Sequence, residues 1–111
     1  MDTAEYMLAG GRTFYAVSMC HLAVEKAAKG LYHLRLGRIP PRTHNLIFLL
    51  REVDARPPEG LGAFLVSLNE ANIATRYPED LDVLSEQYTE EAVGEVLRRG
   101  REVLQWIRAQ F

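Results

Sequence analysis

The 111-residue chain is the size of one domain, and its 48% hydrophobic and 25% charged composition excludes a disordered or collagen-like polymer. Thirteen Lys+Arg against fifteen Asp+Glu leave a net charge of −2. That balance excludes a basic nucleic-acid footprint over the whole domain and confines any such contact to a local patch.

Helical periodicity runs through nearly the whole chain. Asp2 or Thr3 suits the cap of a short first helix, with Glu5 spaced to answer Asp2 in a capping box. Gly10-Gly11 ends it, and Thr13 opens a long second helix reaching about Leu36. The stripe Val17, Cys20, Val24, Ala27, Leu31 and Leu34 follows the helical i, i+3, i+4, i+7 rule. Ala16, Ala23 and Gly30 flank it and leave room for a neighbouring helix. Gly37 and Pro40-Pro41 break the pattern before Thr43 or Asn45 caps a third helix with the stripe Leu46, Leu49, Leu50, Val53.

Ile47 and Phe48 widen that face, so either two neighbouring helices or a second subunit must cover it. Pro58 suits the first turn of a fourth helix that buries Leu61, Phe64, Leu65, Leu68 and Ala71. Tyr77 precedes Pro78, which ends this helix near Arg76. Residues 78–88 are acidic with no clear period. Thr89 caps the last helix, and Val93, Val96, Leu97, Gly100, Val103, Leu104, Ile107 and Phe111 form its apolar face. With no alternating strand pattern and short connections, the expected fold is all-α, an up-and-down antiparallel bundle of about five helices.

Several chemistries fall away at this level. Cys20 is the single cysteine, sits on the apolar stripe and reads as a small buried hydrophobe. The start of the chain lacks the charged-then-apolar order of a secretory signal. The longest apolar run, Leu46 to Leu50, is far short of the roughly 18 residues of a membrane span, so a cytoplasmic protein with no membrane contact is expected. His21 and Glu25 share a helix face, but no third metal ligand stands at a usable spacing, and no Gly-rich phosphate loop or nucleophile motif is present. Neither metal nor cofactor is expected.

Three segments carry candidate function. On the second helix His21, Glu25, Lys29 and Tyr32 lie along one line beside Lys26 and His33. That line is either a solvated face or a strip that binds an anion or a partner, with Glu25 and Lys29 in the favoured ion-pair order. Arg38 to His44 places two arginines and a histidine before a helix start, where amide groups and cations favour anions. Arg76-Tyr77-Pro78 places a guanidinium and a ring at a helix end, where Tyr77 closes the core and Arg76 pairs with Glu79 or Asp80, or both meet a ligand.

Together these segments resemble the small prokaryotic HEPN domains. Cys20 to Lys29 is similar to their A-x-E-K-x-x-K helix, Pro41 to Leu46 to their x-T-H-x-L entry to the third helix, and Thr75 to Pro78 to their R-Y-P segment. The resemblance makes residues 1–111 one HEPN-like domain. It implies a homodimer and a nucleotide- or RNA-binding module that works with a minimal nucleotidyltransferase in a toxin–antitoxin or defence-type system. The implied ligand-binding residues are Lys26, Lys29, His44, Arg76 and Tyr77.

Many relatives are metal-independent ribonucleases with an Arg followed four to six residues later by His. Here those positions after Arg76 hold Asp80, Leu81 and Asp82, so the signature is not matched. A ribonuclease toxin would have to use Arg76 with His44 brought across the fold or the dimer. A purely structural dimerisation module is the remaining alternative.

Overall fold

The computed structural model describes residues 1–10, 13–76 and 89–111, and every regular element among them is a helix. These are α1 (Asp2–Ala9), α2 (Thr13–Leu36), α3 (Leu46–Glu52), α4 (Glu59–Arg76) and α5 (Glu90–Ala109). The long α2 is the spine and packs against all four others.

Residue pairs across the interfaces fix the directions. Cys20 faces Gly100 and Gly30 faces Phe111, so α5 runs parallel to α2. His21 meets Asn69, while the α3–α4 connection lies at the other end of α2, where Arg35 reaches Val53, so α4 runs antiparallel to α2. The alternation is interrupted at α3. Residues 37–45 return along α2, bringing Arg38 beside Tyr32 and His44 beside Glu25, and α3 then rises in the same direction as α2.

Local chemistry sets the helix ends. Gly37 ends α2 at φ 64°, its N–H donating to the His33 carbonyl at 2.9 Å, a left-handed turn that a side chain would disfavour. Asn45 caps α3 by accepting from the Phe48 N–H at 3.2 Å, and Thr43 accepts from the Asn45 N–H instead of capping the helix itself. At the far end of α3, Asp54 takes φ 54° while Asp54 and Ala55 donate back to Arg51 and Leu50 in paired capping bonds. Thr89 caps α5 by accepting from the Ala92 N–H at 3.1 Å.

Two expected caps differ. Pro58 stands one residue before α4, where its carbonyl accepts the Gly62 N–H. The Glu5 carboxylate reaches Arg101 on α5 and not back to Asp2, because a guanidinium across the interface is the stronger partner.

The core forms around α2 residues Val17, Cys20, Val24, Ala28 and Leu31, with Leu46, Leu49 and Leu50 from α3, Leu65 and Leu68 from α4, and Val93, Val103 and Ile107 from α5. The α2 stripe drifts from its expected line. Leu34 is 58% exposed and Ala27 half-buried, while Ala28 and Tyr32 take the inner positions. A straight helix needs about 3.6 residues per turn and so falls behind a 3.5-residue repeat, and the covered face rotates over six turns. Among the small residues of α2, Ala16 is buried, but Gly30 is exposed. A close approach of α2 and α5 lies at Gly100, where an added Cβ would stand 2.5 Å from the Cys20 sulfur. No described helix is long and apolar enough to cross a membrane.

Candidate functional site

The polar line on α2 is not a solvated face. His21 is 2% exposed and Glu25 5%, because α4 and the returning 37–45 loop cover them. Glu25 is the hub. One carboxylate oxygen accepts from His44 Nδ1 at 2.7 Å and the other from Lys29 Nζ at 3.1 Å, while His21 Nδ1 stands 3.7 Å away. Burial pushes the Glu25 carboxyl up, but the hydrogen bonds and charges of His44 and Lys29 outweigh it and hold the group below its ordinary value. An ionised carboxylate only accepts, so His44 donates through Nδ1, and in its neutral form Nε2 is the ring's acceptor. The His44 side chain is 54% exposed.

Behind Glu25 stands a second layer. Asn69 Oδ1 accepts the Leu46 N–H at 3.1 Å, and its amide donates to Asn45 Oδ1 at 3.2 Å. Asn69 thereby ties the first turn of α3 to α4 and satisfies an amide that the helix start leaves over. With that oxygen accepting, His21 Nε2 donates to it at 3.3 Å. Burial pushes the His21 imidazole below its ordinary value, only partly offset by Asn69, Glu25 and the His44 backbone. His21 is thus a neutral strut. Cys20 beside it is buried and pushed up to about 12 by burial, a packing residue with no thiolate character.

Of the residues singled out from sequence, Lys29 and His44 meet on one carboxylate, and Lys26 is exposed one position beyond Glu25. Arg76 ends α4, its side chain outside the described ones, and Tyr77 lies outside the described residues. The Arg76 backbone lies seven residues past Asn69, about 10 Å along the helix and on the opposite side of His21 from Glu25. Among the described residues no three His, Cys, Asp or Glu side chains converge as a metal site.

Composition held one further signal. Between Glu25 and Glu52 there is no acidic residue, while six of the thirteen Lys and Arg and two of the three histidines fall there. The returning loop folds this run on itself. Arg38 lies 5.8 Å over the Tyr32 ring, its carbonyl 3.3 Å from His33, and Arg42 is exposed two residues before His44. Asn69 was also legible as a polar residue one turn beyond Leu65 on an otherwise apolar face.

A family model of the HEPN domain matches residues 1–110. The chain belongs to the HEPN family. HEPN domains are helical, as this one is, they often dimerise, and the family supports a nucleotide- or RNA-related module in general terms. No curated protein and no solved structure matches the chain.

Proposed function

We propose that this HEPN chain binds nucleotide or RNA through the acid-free face formed by the second half of α2 and the returning loop. In this reading it acts beside a nucleotidyltransferase partner in a toxin–antitoxin or defence-type system. The observation that carries the reading is charge segregation. In a chain of net −2, residues 26–51 hold six Lys or Arg and no Asp or Glu, and the returning loop sets His44 beside Lys29 on one buried carboxylate and Arg38 over the Tyr32 ring. Such a face raises the local concentration of phosphate groups and supplies donors for them. Arg76 adds a planar fork suited to phosphate.

Titration with mononucleotides and a short RNA tests it. Lys29→Ala, His44→Ala and Arg76→Ala should each weaken binding by about 1.5–3 kcal/mol, the range for bonds to charged groups. No binding by the wild type, or unchanged affinity in all three variants, refutes it.

The Glu25–His44 pair favours a second reading, a metal-independent ribonuclease. A carboxylate that accepts from Nδ1 orients an imidazole so that Nε2 can exchange a proton with substrate. Arg76 would then stabilise phosphate charge from a second copy of the chain. RNA cleavage that disappears in His44→Ala supports this, and cleavage that survives refutes it.

A homodimer belongs to both readings, but not for the reason the sequence suggests. Leu46, Leu49 and Leu50 are buried within one chain by α2 and α4, leaving Phe48 40% exposed. The surplus apolar surface includes Tyr15 (63%) and Leu22 (37%), seven residues apart on one face of α2. Sedimentation showing a monomer at tens of micromolar removes the dimer.

A further inference from the structure

Away from the Glu25 cluster, the corner between α3 and α4 forms an open groove of about 420 Å³. Ile47, Leu50, Ala55, Pro57 and Gly62 line its apolar part, and Arg51, Asp54 and Arg56 its polar edge. The volume falls within the range of small-molecule sites, which pair an apolar body with a few polar groups.

The walls are held in place from several sides. Leu50 and Ala55 are buried, the paired capping bonds close the end of α3, and Arg35 donates to the Val53 carbonyl at 2.9 Å. Pro57 and Pro58 stiffen the link to α4. Gly62 keeps one wall open. A Cβ there would meet Pro57 at 3.7 Å, an ordinary contact, so neither packing nor backbone requires glycine at that point of the helix.

Charge selects the ligand. Among the described residues Arg56 pairs with Asp54 at 3.5 Å, both side chains at least 85% exposed, and such a pair holds its partners weakly. Two guanidinium groups against one carboxylate leave a net positive edge beside an apolar floor.

We propose that this corner binds a small amphipathic organic anion, its alkyl or aromatic body on Ile47 and Pro57 and its carboxylate or phosphate on Arg51 and Arg56. The site is separate from the nucleotide face and stands independently of the reading given above.

The test uses octanoate and octanol, which share an apolar body and differ in charge, titrated against the intact chain by two-dimensional amide NMR. Octanoate should shift the amides of Ile47, Leu50, Ala55 and Gly62 in a saturable way, with octanol about tenfold weaker. Arg51→Ala/Arg56→Ala, at exposed positions that the fold does not need, should remove that difference. Equal binding of the two probes, no saturable shift at these amides, or an unchanged preference in the double variant overturns the proposal. Shifts at the same amides that follow protein concentration without probe also overturn it, because the occupant is then a second copy of the chain.

Discussion

Gly100→Ala is the most exacting check on the packing of α5 against α2. Alanine in a helix interior ordinarily stabilises by about 1 kcal/mol over glycine. Here the added Cβ would stand 2.5 Å from Cys20 Sγ and 3.2 Å from the Met1 methyl. Met1 is half-buried and its methyl ends a flexible side chain, so it can move. Cys20 is fully buried, and the sulfur can leave only by turning into its neighbours. Overpacking of this kind costs about 1–3 kcal/mol, so after the helical gain the variant should be destabilised by about 1 kcal/mol, or about 4 °C in a domain of this size.

Cys20→Ala alone should cost about 1 kcal/mol for the lost apolar atom. It also removes the obstacle, so the double variant should be more stable than the two single changes sum to, by about 1–2 kcal/mol. Gly30→Ala is the control, because its Cβ meets the Phe111 ring at 3.5 Å, and it should gain about 0.4–1 kcal/mol. Urea unfolding with an unchanged m-value reads all four chains. If Gly100→Ala stabilises as much as Gly30→Ala, the close approach of α2 and α5 is wrong.

The remaining predictions concern the Glu25 cluster. Asn69→Ala leaves the Leu46 N–H, His21 and Asn45 without their shared partner, and denaturant titration should show a loss of about 2–3 kcal/mol. Glu25→Ala should cost a similar amount, about 2–3 kcal/mol, because two charge-assisted bonds disappear while their partly exposed donors regain water. Stability should also fall in two stages on acidification. His21 is held below its ordinary value of 6.5, so the unfolded chain binds that proton first and the loss begins as pH falls below 6.5. Glu25 is held below its ordinary 4.5, so its contribution is whole above that pH and is lost as pH falls through the folded value. Thermal melts from pH 8 to pH 3 check this, and a first stage that persists in His21→Gln assigns it to another group.

The helices and most of their ends were legible in the sequence, because caps and breakers act within a few residues. Asn45, Thr89 and Gly37 do so by local hydrogen bonds and backbone sterics. Spacing likewise put His21, Glu25 and Lys29 on one line and paired Glu25 with Lys29. What covers that line is a different kind of fact. Periodicity says which residues share a face, and says nothing of which faces meet.

Only the tertiary structure could turn a solvated strip into a buried carboxylate, because the cover comes from a loop that folds back along α2 and from Asn69 on a helix 48 residues after His21. The same return brings His44 to Glu25 across 19 positions, and the packing of α1 on α5 sends Glu5 to Arg101 in place of its own helix end. It also decides that α3 buries three of its five consecutive apolar residues inside one chain. Local chemistry determined where each helix starts and stops. The buried charge, and with it the character of the site, was decided by contacts whose partners the chain brings together only after it has turned back on itself.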